Sequence, residues 1–250
     1  MGNWHRIRGG PGKVPRRIRR RRFVSFPFLF PALFHDRRDA GRALARALRN
    51  HPALTRDPAS AIVLALPRGG VPVAFEVAHA LHLPLDIFVV RKLGVPGEEE
   101  LAMGAVASGG LVVLNEPVIR DFAISQATID AVLAQEQQEI QRRESAWRAS
   151  RPPLDCAGRT VLLIDDGLAT GATMKAAARA LRPIALRILA AVPVAPANAR
   201  DAILREVDDF LCLEAPASFL AVGEYYRNFD PTSDDEVRNL LAQAQSSGLR

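Results

Sequence analysis

The chain has 250 residues, 48% of them hydrophobic and 24% charged, a globular composition that excludes a fibrous or low-complexity protein and suits one large domain with its own core. Its net charge of +6 is unevenly placed: nine of the 33 Lys and Arg lie in residues 1–22, which hold none of the 27 Asp and Glu. The remainder is mildly acidic, so net charge gives no ground for a nucleic-acid-binding body and confines that chemistry to the tail. Cys156 and Cys212 form no CxxC pair, which argues against a disulfide framework or a zinc site and fits a reducing, cytoplasmic setting.

Residues 1–34 are expected to be a disordered basic and apolar extension. The Arg run followed by the apolar stretch 23–34 has the first two parts of a secretory signal. Pro27 and Pro31 interrupt the apolar part, however, and no small-x-small cleavage site follows. The stretch is too short to span a bilayer as a helix, so no membrane partner is expected. A basic arm touching RNA or anionic lipid is the alternative.

The domain proper is placed at 35–250. From Asp36 onward Ala40, Leu44, Ala47 and Leu48 recur at helical spacing. Residues 61–67 read as a buried strand ended by Pro67, and 71–82 as a helix with Pro72 in its first turn. A second strand follows at 85–92, then a loop at 94–100, then a hairpin flanking Gly109 and Gly110. Residues 125–149 predict the longest helix, with Ser125 as its N-cap. Strand 160–166, helix 170–181, strand 184–192, helix 196–206 and strand 209–214 complete the alternation. That order predicts an α/β fold: an open parallel sheet flanked by helices, with 215–250 breaking the rhythm as a small C-terminal hood.

One stretch carries most of the chemistry: VLLIDDGLATGAT, residues 161–173. Asp165 and Asp166 stand at the carboxyl end of a predicted strand, where an open parallel sheet binds its ligands. The small residues Gly167, Leu168, Ala169, Thr170, Gly171, Ala172 and Thr173 then open a helix. Such a loop lets backbone N–H groups close around an anion, and Thr170 and Thr173 add hydroxyls. The P-loop pattern GxxxxGK[ST] is absent, as is GxGxxG. Paired carboxylates beside a phosphate cradle suit a sugar phosphate, the acids taking vicinal hydroxyls and the loop taking the phosphate.

These residues resemble the phosphoribosyl-pyrophosphate (PRPP) signature of type I phosphoribosyltransferases. LPRGGVPVA, residues 66–74, is similar to the family's pyrophosphate loop, with Arg68, Gly69 and Gly70 at its turn. VVRKLGVPGEE, residues 89–99, is similar to the start of its mobile catalytic loop, with Arg91 and Lys92 toward pyrophosphate. The resemblance covers roughly residues 36–231 in the family's order. It implies transfer of phosphoribosyl from PRPP to a nitrogenous base. Asp165, Asp166 and Lys92 would be catalytic, residues 167–173 would hold the 5′-phosphate, and loop 93–100 would exclude water.

Mg²⁺ is the implied cofactor, held mostly by PRPP and water with Asp165 and Asp166 as its protein ligands. The implied partners are PRPP, a small-molecule base and a second copy of the chain. For Tyr225, Tyr226 and Phe229 two roles stand side by side: stacking a flat base, or pinning the hood. A PRPP-sensing regulator with a nucleic-acid-binding tail is the alternative function. Two features depart from the family. Ala169 replaces the loop acid of the hypoxanthine–guanine type, and the long helix within 100–150 lacks a counterpart in small salvage enzymes. Both point to a less characterised subgroup.

Overall fold

The computed structural model describes residues 32–55, 60–149 and 151–247; up to residue 31, the expected basic extension lies outside them. The chain begins with α1 (Arg37–Leu48) and the single turn α2 (Pro52–Thr55), then β1 (Ala61–Ala65), α3 (Gly70–Leu81) and β2 (Leu85–Ile87). A ribbon of β3 (Val90–Val95), β4 (Glu98–Ala107) and β5 (Leu111–Leu114) leads through α4 (Glu116–Asp121) into α5 (Gln126–Arg148). The second half runs β6 (Thr160–Ile164), α6 (Ala172–Leu181), β7 (Arg187–Val194), α7 (Ala199–Leu204), β8 (Asp209–Glu214) and α8 (Asp234–Ser246). Among the described residues no helix is long and apolar enough to cross a membrane.

Five strands in the order β2-β1-β6-β7-β8 form one fully parallel sheet. Every residue of β1 and β6 is buried, and the pleat divides them between two layers. Ala61, Val63, Ala65, Leu162 and Ile164 face a core shared with α1, α3, α5 and α8, while Ile62, Leu64, Val161 and Leu163 face α6 and α7. A parallel sheet covered on both sides has no wet face, which is why these segments, Thr160 apart, are apolar without alternation. The open parallel α/β sheet expected from the sequence is the one observed.

Two expectations need correction. The single strand expected at 85–92 is two strands in two sheets. Ile87 is the last residue in register with β1; Val89 then donates its N–H to Ser108 Oγ at 2.8 Å, and the chain departs into the ribbon. A uniform apolar run carries no mark of where its partner changes. The loop expected at 94–100 is largely strand. Val95 pairs with Glu98 across Pro96 and Gly97, and Gly97 at φ 85° supplies the left-handed conformation a two-residue turn needs. Gly, Pro and Glu are poor strand formers, but pairing with β4 overrides their propensity. The short helix α4 is not foreseen by periodicity.

Ser125 caps α5 as expected, accepting from the Thr128 N–H. The far end of that helix is fixed to the edge strand β2 by a buried ion cluster. Arg148 Nε lies 2.8 and 3.1 Å from the two Asp86 oxygens, Nη2 donates to the Ile87 carbonyl at 2.7 Å, and Nη1 is 2.8 Å from Glu144 Oε1. Asp86 also accepts from the N–H groups of Ile87 and Leu154. Burial opposes the Arg148 charge, but Asp86 and Glu144 outweigh it and hold the guanidinium pKa above its ordinary value.

The C-terminal segment divides. Residues 215–233 are irregular apart from one 3-10 turn at Val222–Tyr225, and they reach the carboxyl end of β6. Helix α8 starts from its cap Ser233, whose Oγ accepts from the Glu236 N–H at 3.1 Å. Its Val237, Leu240, Leu241 and Ala244 join the core with α3 and α5. Trp147 of α5 donates Nε1–H to Asp234 Oδ1 at 2.9 Å, so that first-turn acid also fastens two helices. Burial pushes the thiols of Cys156 and Cys212 up to about 11, so neither offers a thiolate near neutral pH.

Candidate active site

Two loops meet at the carboxyl ends of the neighbouring strands β1 and β6. Beyond β6 the chain turns out through Asp165 and Asp166; beyond β1 the turn 66–70 folds against them. Leu66 N–H bonds the Ile164 carbonyl at 2.8 Å, and Gly70 N–H bonds the Leu66 carbonyl at 3.1 Å. The approach leaves no space for side chains. A Cβ on Gly69 would stand 2.1 Å from Asp166 Oδ2, and one on Gly70 2.7 Å from the Ile164 carbonyl oxygen and 3.0 Å from Asp165 Cα. The Gly-Gly pair is thus a steric condition of where the acids sit. Gly69→Ala is expected to displace Asp166 and cost about 1–3 kcal/mol by overpacking, read as a lowered unfolding midpoint. An unmoved midpoint would mean the turn relaxes freely.

The acid pair is electrostatically uneven. Asp165 Oδ1 accepts from the Asp166 N–H at 2.9 Å. Burial, then the neighbouring Asp166 charge, raise the Asp165 carboxyl well above the ordinary carboxylate range. Asp166 Oδ2 instead accepts from Arg37 Nε at 2.7 Å, and the Asp166 carbonyl accepts from the Tyr226 hydroxyl at 2.5 Å.

The loop after the acids splits its work between packing and solvent. A Cβ on Gly167 would be 2.5 Å from Val222 Cγ1. Leu168 is buried, its N–H bonded to the Val194 carbonyl at 2.9 Å, so it anchors the loop. Ala169, Thr170, Ala172 and Thr173 are exposed. Gly171, at φ 67° and ψ 13°, caps α6, and Thr170 Oγ1 accepts from the Ala172 N–H at 3.3 Å. First-turn N–H groups of a helix lack intrahelical partners, so an exposed α6 N-terminus flanked by two hydroxyls suits an anion.

The cations expected near pyrophosphate point elsewhere. Arg68 Nη1 lies 3.4 Å from Asp234 Oδ1 on α8, Arg91 Nε bonds Glu136 Oε2 on α5 at 2.6 Å, and Lys92 Nζ bonds Glu100 Oε2 at 3.3 Å. Each takes a protein carboxylate as its charge-assisted partner, and of the expected pyrophosphate set only Gly69 and Gly70 touch the acids.

The stacking role does not suit Tyr226. Its ring is 3% exposed and packs against Phe34 and Phe229, with centroids 5.6 and 5.0 Å away, so no face is left for a base. Phe229 lies under the Arg37 guanidinium, 3.9 Å from Cζ to the ring centroid. Tyr225 stacks on Phe219 at 5.5 Å and donates to the Ser218 carbonyl at 3.0 Å.

Arg37 belongs to the site although no sequence motif contains it. It stands at the first position of α1, and Arg38 follows. A cation in the first turn of a helix opposes the macrodipole, so two consecutive arginines there call for external carboxylates. They find Asp166 and Glu76, and that local mismatch is the one signal the sequence offers.

These elements define an α/β protein with paired carboxylates and an exposed helix N-terminus at the carboxyl ends of two central parallel strands, the place where open parallel sheets bind their ligands. A family model for the phosphoribosyl transferase domain matches residues 96–227, more than half of the chain, and the chain belongs to that family. Two curated relatives come from Mycobacterium tuberculosis, strains CDC 1551 / Oshkosh and ATCC 25618 / H37Rv, each provisionally named a phosphoribosyl transferase. Each is 46% identical over 213 residues, which covers 85% of this chain and 47% of the relative. The chain therefore spans about half the length of the curated relatives it matches. The crystal structure of TT1426 from Thermus thermophilus is 38% identical, with a TM-score of 0.75, covering 84% of this chain and 98% of that one.

Proposed function

We propose that the chain transfers the 5-phosphoribosyl group of PRPP to a ring nitrogen of a nitrogenous base. The C1–O bond to pyrophosphate breaks, a C1–N bond forms, pyrophosphate leaves with the bonding pair, and the base gives its proton to solvent. The observation that carries this reading is the contact of Gly69 and Gly70 with Asp165 and Asp166. It brings a turn suited to diphosphate against carboxylates suited to a ribose diol, one loop away from the α6 N-terminus suited to the 5′-phosphate. In this reading the two acids orient the hydroxyls and support positive charge developing at C1, while residues 167–173 fix the far end of the substrate.

Among the described residues no group of three or more His, Cys, Asp or Glu could hold a metal ion. The donor set at the site is the two aspartates. That set fits Mg²⁺, which keeps several waters and takes one or two carboxylates plus substrate oxygens. Asp165 and Asp166 would hold it, and it would supply charge neutralisation of the diphosphate. Two free cysteines agree with a cytoplasmic setting; the homodimer expected from the family resemblance is checked by light scattering.

Pyrophosphate release from PRPP and Mg²⁺ by the full chain, across purines, pyrimidines and orotate, tests the proposal. Release with one base names the acceptor. PRPP binding without release from any of them is the result a non-catalytic sensor would give. Asp166→Asn is expected to lower turnover by about 100-fold or more with a much smaller change in unfolding midpoint; equal loss of both would overturn its assignment.

A further inference from the structure

We infer that Arg37 is a positioning residue of the site, acting through Asp166 and locked by Phe229 and the Asp230 carbonyl. The inference rests on the PRPP reading above and concerns what sets the geometry of its acid pair.

Three restraints meet on one guanidinium. Nε donates to Asp166 Oδ2 at 2.7 Å, Nη1 donates to the Asp230 carbonyl oxygen at 2.7 Å, and Cζ sits 3.9 Å from the Phe229 ring centroid. The side chains of Arg37 and Asp166 are only 11% and 14% exposed, so that ion pair is largely withdrawn from water. Both anchoring segments are themselves fixed. Asp36 caps α1 by accepting from the Asp39 N–H at 2.8 Å. Phe34 and Tyr226 form a parallel bridge, with Phe34 N–H to the Tyr225 carbonyl at 3.0 Å and Arg227 N–H to the Phe34 carbonyl at 2.9 Å. Tyr226 then holds the Asp166 backbone. Asp166 is thus gripped at its side chain by the start of α1 and at its carbonyl by the segment before α8.

The chemistry explains why a guanidinium is there. Two adjacent carboxylates repel, and Asp166 Oδ2 occupies the space that a Cβ on Gly69 would fill. Without a cation that acid would be free to turn outward. Arg37 holds Oδ2 in one direction, while the flat ring and the carbonyl prevent the guanidinium from following a ligand outward. Lysine has the charge but not the planar fork, so it can meet Asp166 or Asp230 and not both in this geometry.

The test is a double-mutant cycle read as the dissociation constant of PRPP with Mg²⁺, measured by calorimetry on the full chain. Arg37→Met is expected to weaken binding about 10- to 100-fold, the usual cost of losing a residue that orients a ligating group. Arg37→Lys should recover part of that loss. The decisive variant combines Arg37→Met with Asp166→Asn. A residue that acts through Asp166 makes the double variant bind no worse than Asp166→Asn alone, whereas losses that multiply would overturn the inference and leave Arg37 a fold-stabilising residue only. Should Arg37→Met not fold, Phe229→Leu keeps the ion pair and removes its floor. Weakened binding is then expected, and unchanged binding would overturn the lock. Full PRPP affinity in Asp166→Asn, or none in the unaltered chain, would instead overturn the PRPP reading itself.

Discussion

Asp165→Asn is expected to lower turnover by about 100- to 1000-fold while making the unliganded protein more stable at neutral pH. Burial and the Asp166 charge raise the Asp165 pKa in the folded state, so the folded protein keeps a proton that the unfolded chain releases above about pH 4. The protonated acid favours folding fully below the unfolded pKa. That contribution is lost as pH rises through the folded value. An amide does not titrate, so the variant escapes the loss. The difference in unfolding midpoint between variant and parent should therefore be small near pH 4 and widen, in the variant's favour, as pH rises to about 7.5. A variant destabilised equally at both pH values would remove the electrostatic account of the acid pair. A stability gain joined to an activity loss is the pattern of a site kept strained for its ligand.

Arg148→Met should act in the opposite way, with a large loss of stability and little change in PRPP affinity at temperatures where the protein stays folded. The change strands Asp86, whose side chain is only 7% exposed, without its cation. Breaking a buried pair by removing one partner costs about 3–5 kcal/mol, and in a chain of this size that lowers the unfolding midpoint by on the order of 10 °C. Asp86→Asn added to Arg148→Met should cost less than the two single changes summed, because the stranded charge is gone. Thermal scans of the three variants check this; additive losses would mean the residues are not coupled.

The fold is legible in the sequence where chemistry is local. Runs such as 61–65 and 161–164 are apolar throughout because both sheet faces are covered, and alternation with helices then implies parallel pairing. The acid pair and its loop are legible because thirteen consecutive residues, 161–173, hold the whole device. Legibility stops where a partner has to be known. Nothing in 85–92 marks that Ile87 pairs with β1 while Val90 pairs with Ala107. The residues 94–100 carry turn-forming composition, and only the opposite strand makes them a ribbon. Arg37 is 129 residues from Asp166, and its place in the first turn of α1 asks for a carboxylate without naming which one. Tyr226 draws notice for its ring, whereas its hydroxyl and its burial decide what it does.

The grip on Asp166 also has a bearing on synthesis. Arg37 reaches the Asp230 carbonyl across 193 residues of chain. A ribosome-bound chain released as far as α6 already owns both aspartates, Arg37 and the Gly-rich loops, yet lacks the Phe229 floor and the Asp230 tether that aim them. Long-range contacts of this kind form late, after the closure entropy of the intervening chain has been met. Nascent protein would thus hold the acids without their final aim until residue 230 has left the exit tunnel.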